Sequence, residues 1–108
     1  MPALIFLSHS SKDDDMVTRI HDAIEKATGE DVWVDHKDIK GSDYWQESID
    51  TALADCTHML VMLSKDSVIS REVTTEWRDA LLRKKPLLPV VVDELELTAI
   101  PAQLRIIQ

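Results

Sequence analysis

Apolar residues along the chain form two kinds of pattern, which alternate: short continuous runs, and longer stretches with helical spacing. The runs at residues 3–7, 32–34, 58–63 and 87–92 have the length and composition of strands that are buried on both faces of a sheet. Between the runs, apolar positions recur every three or four residues, which predicts amphipathic helices. Strands that alternate with helices of this length predict βαβ units and a mainly parallel sheet.

Local signals place both ends of the first predicted helix, and apolar spacing gives the ranges of the other two. Ser11 and Asp14 have the spacing of a capping box at the start of the first helix, and Gly29 is a plausible C-cap at its end. We expect the second helix over residues 44–56 and the third over residues 70–84.

The end of the chain carries two irregular features. Pro89 lies inside the fourth apolar run, and because proline cannot donate to a sheet ladder, it predicts a strand start near Val90 or a bulge. Residues 101–108 have the pattern of an approach to a fifth strand, and no helix follows to cover that strand. We therefore interpret residues 1–108 as one domain and a piece of a longer, multidomain protein.

Composition excludes several classes of partner. The formal net charge of -8 and the pI near 4.8 disfavour nucleic acids and anionic membrane surfaces, which attract basic proteins. The net charge does not exclude small anionic ligands, since backbone amides and one or two cations can bind them. Cys56 is the single cysteine, which gives neither a disulfide framework nor zinc-site spacing. No targeting segment and no apolar stretch of about 18 residues is present, so we expect a cytoplasmic protein.

Polar residues follow the predicted strands where open α/β sheets bind ligands. Ser8, His9 and Ser10 follow the first strand, a loop with Gly41 follows the second, and Ser64 follows the third. The two glycines of the chain cannot supply a glycine-rich phosphate cradle. The first loop has hydroxyls where a phosphoreceiver domain has acids, and the chain contains no nucleophile elbow.

One glutamate of the third predicted helix is the main candidate for chemistry. One face of this helix is apolar, with Val73, Trp77, Ala80 and Leu81. Glu76 lies about 80–90° from the middle of that stripe, so we expect it to be neither fully buried nor fully exposed. A flank glutamate is ordinarily only solvated, but Glu76 also lies close to the predicted ligand edge of the sheet.

The tryptophans leave two interpretations open. Trp33 and Trp77 are expected to pack in the core. Trp45 begins a helix directly after the second loop, so it either packs or offers its ring face to a base.

Four segments together resemble one known family. They are Ile5–Asp13, Val32–Asp35 with Ile39–Gly41 and Trp45, Met62–Ser64 with Ser67 and Ser70–Ala80, and Lys85–Val90. In order and spacing they are similar to the TIR (Toll/interleukin-1 receptor) domains, and to the bacterial type most closely. The resemblance implies a flavodoxin-like α/β fold with a five-stranded sheet in the order 2-1-3-4-5 and helices on both faces. The last helix of the family has no counterpart here.

The family resemblance implies one of two functions. Many bacterial and plant members cleave NAD+ at the nicotinamide–ribose bond, and others are scaffolds that act through TIR–TIR contacts without catalysis. Glu76 matches the catalytic glutamate of the enzymatic members. We therefore expect an NAD+ glycohydrolase that releases nicotinamide and ADP-ribose or a cyclic variant, as an effector in bacterial antiviral defence. NAD+ would be the substrate, with no cofactor and no metal.

The same resemblance suggests secondary roles. Ser8, His9 and Ser10 would contact the dinucleotide, and Lys12 would neutralise its pyrophosphate. Trp45 would stack on a ring, while Ser64 and Ser70 would shape the ribose pocket. Asp38 and Gly41 would bind the substrate from the second loop, which is expected to cover the cleft and to meet other TIR domains. Partners would be further copies in a homo-oligomer or filament, and a sensor domain after residue 108 would control assembly.

Overall fold

The computed structural model describes residues 4–34 and 43–105, and at residues 43–48, 97 and 105 it describes the backbone alone. Four strands of the described chain form one sheet: β1 (Leu4–Ser8), β2 (Asp31–Val34), β3 (His58–Leu63) and β4 (Leu87–Val91). All neighbours pair in parallel, in the order β2-β1-β3-β4. This confirms the predicted α/β class and the first four positions of the predicted strand order.

Three helices follow the strands as the apolar spacing predicts: α1 (Asp14–Thr28), α2 (Asp43–Asp55) and α3 (Arg71–Leu82). A short helix that was not predicted, α4 (Ala102–Arg105), follows later in the chain. Gly29 ends α1 in the left-handed conformation, with φ of 72°, and its N–H donates to the Glu25 carbonyl. The start of α1 differs from the prediction. A 3₁₀ turn precedes it, and Ser10, not Ser11, caps that turn by accepting a hydrogen bond from the Lys12 N–H.

The core lies on both faces of the sheet, as the continuous apolar runs predict. On one face, α2 and α3 pack against β1 and β3 in a cluster that includes Phe6, Ile49, Leu53, Met59, Val61, Val73 and Trp77. On the other face, α1 contributes Val17 to a smaller cluster with Leu7, Leu60 and Met62. Leu81, expected on the apolar stripe of α3, is 37% exposed, so the contact face of that helix is narrower than predicted.

Pro89 lies within β4, opposite Val61, and does not mark the start of the strand. The Met59 N–H donates to the Pro86 carbonyl, and the Val92 N–H donates to the Leu63 carbonyl. Backbone polar groups alternate in direction along a strand, so the ring nitrogen of Pro89 points away from β3. The predicted shift of the strand start to Val90 is wrong, because β4 starts at Leu87. Proline is tolerated in a strand where the ladder does not need its N–H, and the pairing with β3 does not need one at Pro89.

The described sheet ends at β4. Where the sequence suggested an approach to a fifth strand, residues 102–105 are helical, and residues 106–108 lie outside the described chain. Ile100 and Leu104 are buried in the cluster beside α2 and α3. Within the described ranges, every helix is too short or too polar to cross a bilayer.

Candidate functional site

Buried polar side chains of the described residues collect at the carboxyl edge of the sheet. They are Ser8, Ser10, Ser64, Ser67 and Glu76, all less than a tenth exposed. Ser8 ends β1 and Ser64 directly follows β3, and these two strands are neighbours. Polar side chains are costly to bury without hydrogen bonds, so their concentration at this edge marks it as the candidate site.

Glu76 is more deeply buried than its position on the helix predicted. It is 6% exposed, and the Ser8 hydroxyl donates to its Oε1 at 2.7 Å. The end of β1 covers the flank of α3 that the helical geometry alone left half-exposed. The expectation of a partly exposed carboxylate is therefore wrong, and the reason is a contact between residues 68 positions apart.

The start of α3 fixes where Glu76 lies. Ser70 is the N-cap, with an extended backbone, and its Oγ accepts a hydrogen bond from the Val73 N–H at 3.3 Å. The Ser70 carbonyl accepts a second bond, from the Thr74 hydroxyl at 2.9 Å. N-cap serines of this kind stabilise a helix by satisfying its first N–H groups. The contacts of Ser70 are thus those of a helix cap. By fixing the first residue of α3, the cap also fixes the position of Glu76 over the sheet.

The loop after β3 is held by reciprocal hydrogen bonds. The Ser64 N–H donates to Ser67 Oγ at 2.7 Å, and the Ser67 N–H donates to Ser64 Oγ at 3.0 Å. The Ser64 hydroxyl in turn donates to Asp13 Oδ2 at 2.5 Å. This last bond joins the loop after β3 to the loop after β1.

Asp13 and Ser67 were absent from the predicted site. Three consecutive aspartates at residues 13–15 are typical of a helix start, and Asp13 is the one that reaches across to the loop after β3. The recurrence of serine at three-residue spacing directly after a strand is the local signal that points to Ser67.

The first loop presents a histidine and a lysine. His9 Nδ1 lies 2.9 Å from the Ser10 carbonyl, which can only accept, so Nδ1 carries the hydrogen. His9 Nε2 is buried and has no hydrogen-bond partner among residues 4–34 and 43–105. Lys12 is mostly exposed, and its Nζ lies 3.8 Å from Asp66 Oδ1. Lys12 therefore lies at the rim of the site, between the first and third loops. An exposed ion pair of this kind contributes little to stability.

The structure does not describe the side chains of three residues of the predicted site. Asp38 and Gly41 lie outside the described residues, and Trp45 is described only as backbone at the start of α2. Trp77 is 2% exposed and Trp33 packs against Phe6 at a ring distance of 4.8 Å, so both are core residues as predicted. In the described part of the chain, no three His, Cys, Asp or Glu side chains are grouped to hold a metal ion.

The fold agrees with the comparison to known proteins. The TIR domain family matches residues 5–108, and the chain therefore belongs to that family. Among solved structures, the chain is similar to the TIR domain of the Toll-related receptor TRR-2 from the lower metazoan Hydra magnipapillata. The TM-score is 0.76 at 16% sequence identity, over 94% of this chain and 77% of that chain. At that identity the likeness shows the fold alone. A comparison with curated proteins gives no match.

Proposed function

We propose that this TIR domain is an NAD+ glycohydrolase in which Glu76 is the catalytic carboxylate. The supporting observation is the burial of Glu76 at the carboxyl edge of the sheet, with a hydroxyl from a strand end donating to it. Ligands bind at this edge in open α/β sheets. Membership of the TIR family admits NAD+ cleavage and scaffolding alike, so the choice between them rests on this carboxylate.

A single carboxylate is sufficient for the proposed reaction. Ordinary glycosidases use two, one of which protonates the leaving oxygen. In NAD+ the nicotinamide leaves as a neutral base from a cationic pyridinium, so it needs no proton. The site has to orient the ribose and place negative charge beside the developing oxocarbenium ion. Water then adds to the ribosyl carbon and releases one proton to solvent, which gives ADP-ribose. Attack by an internal nucleophile of the nucleotide gives a cyclic product instead.

The geometry of Glu76 allows this role. A carboxylate offers about four acceptor positions on its two oxygens, so the bond from Ser8 does not prevent ribose hydroxyls from donating to it. Burial also lowers the local dielectric, which strengthens the attraction between a carboxylate and a cationic transition state. Both features support a role for Glu76 in stabilising the transition state, and neither is expected of a solvated surface glutamate.

We assign the secondary roles as part of the same proposal. His9 Nε2, which is buried without a partner in the described residues, is suited to a hydrogen bond with a polar group of the dinucleotide. Ser10 lies beside it, and Lys12 at the rim would neutralise a pyrophosphate. Trp45 would stack on a ring, and Asp38 and Gly41 would belong to a loop that covers the ligand. Ser64 and Ser70 would shape the ribose pocket through the loop and the cap that they stabilise.

TIR domains interact with other TIR domains, and we propose that such contacts activate this one. A head-to-tail arrangement of copies extends into an open filament and places a neighbour's surface beside each site. In this proposal the protein is a cytoplasmic effector of bacterial antiviral defence, and a sensor domain after residue 108 sets when assembly occurs. The alternative function is a non-catalytic scaffold that acts through TIR–TIR contacts, which membership of the family admits equally.

A concentration series separates the enzyme from the scaffold. Wild-type protein would be incubated with NAD+ at low and high protein concentration, and also fused to a domain that forces assembly, while nicotinamide release is followed. We expect release per molecule to rise steeply with assembly. If forced assembly yields no nicotinamide, the NAD+ glycohydrolase proposal is wrong and the scaffold function replaces it.

A further inference from the structure

We infer that Ser8 is a positioning residue that acts through Glu76, and that it does not contact the nucleotide. The inference rests on the proposed function, in which Glu76 binds the ribose. Ser8 is 1% exposed, which leaves almost no surface for a ligand to touch. Its hydroxyl hydrogen is donated to Glu76 Oε1 at 2.7 Å. The Ser8 hydroxyl thus already donates its hydrogen within the protein, so we no longer assign Ser8 to the dinucleotide.

The backbone of Ser8 is fixed by the sheet. Ser8 is the last residue of β1 and lies opposite Val61 of the central strand β3. Side chains alternate between the faces of a strand, so Ser8 shares its face with Phe6, which belongs to the core cluster of α3. The hydroxyl is therefore held by a paired strand and directed at the helix that carries Glu76.

Glu76 needs such a fixed partner more than a residue with a shorter side chain would. A glutamate has three side-chain torsions, and its terminal torsion is broad. A donor fixed to the sheet selects the orientations in which one oxygen faces β1. Correct placement of a catalytic group within a fraction of an ångström contributes strongly to rate. Ser8 would thus affect catalysis mainly through the placement of the carboxylate.

Steady-state kinetics of Ser8→Ala under assembling conditions give the first test. Losing one hydrogen bond to a charged group predicts a fall in kcat of roughly tenfold to a hundredfold, with KM within about twofold of wild type. Ser8→Thr, which retains the hydroxyl, should recover part of that loss. Ser11→Ala is the matched control, since Ser11 is an exposed serine of the same loop. A raised KM with unchanged kcat would overturn the inference.

Binding in the absence of Glu76 gives the second test. NAD+ affinity would be measured by calorimetry for Glu76→Ala and for Ser8→Ala/Glu76→Ala. A residue that acts only through Glu76 should have no further effect once Glu76 is removed, so the two dissociation constants should agree. Weaker binding by the double variant would show direct contact between Ser8 and the nucleotide, and would refute the positioning role.

A stability cycle keeps this inference separate from the proposed function. Urea midpoints would be measured for wild type, Ser8→Ala, Glu76→Ala and the double variant. We expect the two shifts to be non-additive, because the residues share one hydrogen bond. If wild type cleaves no NAD+ but the shifts are non-additive, the glycohydrolase proposal alone fails and Ser8 still positions Glu76. Additive shifts would overturn the positioning role whatever the activity.

Discussion

Replacing Ser64 with alanine removes two hydrogen bonds that hold the loop after β3. One is donated by the Ser64 hydroxyl to Asp13 Oδ2, and the other is accepted from the Ser67 N–H. Asp13 is half-buried, so the bond to its carboxylate belongs at the lower end of the range of about 1.5–3 kcal/mol for bonds to charged groups. Ser67 is 1% exposed, and a buried N–H left without a partner costs a further ~1–3 kcal/mol.

Together these terms predict that Ser64→Ala lowers the free energy of unfolding by about 2–4 kcal/mol. With a urea m value of about 2 kcal/mol/M, the middle of the range for a small domain, the midpoint should fall by roughly 1–2 M. Unfolding would be followed by tryptophan fluorescence, because Trp77 lies in the core.

Asp15→Asn is the matched control, since Asp15 is exposed two residues after Asp13 and should change stability by about 0.5 kcal/mol or less. Asp13→Asn should destabilise, and combining it with Ser64→Ala should cost less than the sum. A Ser64→Ala midpoint within the range of the Asp15→Asn control would refute the reasoning.

Three further predictions each concern a single residue. Ser70→Ala removes the N-cap of α3 and should lower stability by about 1 kcal/mol, measured by urea unfolding, whereas Ser70→Asp should retain most of it. Gly29→Ala should lower the thermal midpoint, because φ of 72° strains a residue with a Cβ although no atom lies within 4 Å of that Cβ. Burial raises the pKa of the Cys56 thiol above its ordinary value of 9.0. Stability should therefore fall as the pH rises above that value, and native Cys56 should react with iodoacetamide far more slowly than in urea.

The sequence predicted the parts of the fold that depend on local pattern. Continuous apolar runs identified all four described strands, because parallel strands are buried on both faces. Helical spacing and Gly29 identified α1 to within a residue or two. The error at Pro89 has a physical reason: a single sequence does not show whether the nitrogen of a given residue faces the neighbouring strand or points away from it.

The site was predicted less completely because its contacts join distant residues. Ser8 and Glu76 are 68 positions apart, and Asp13 and Ser64 are 51 positions apart. Helical geometry placed Glu76 on a flank, but the degree of burial depends on which strand end covers that flank. In the same way, the run of aspartates satisfied a local rule for helix starts, which concealed the role of Asp13 between two loops.

The central claim is that Glu76 cleaves NAD+, and a matched pair of variants tests it most directly. Nicotinamide and ADP-ribose would be quantified by mass spectrometry for wild type, Glu76→Gln and Glu72→Gln under forced assembly. Glu72 is an exposed glutamate one turn earlier on α3, so it controls for the loss of a carboxylate from this helix. We predict a loss of roughly a hundred- to a thousandfold in Glu76→Gln, with Glu72→Gln close to wild type. Equal turnover by Glu76→Gln and wild type would contradict the account.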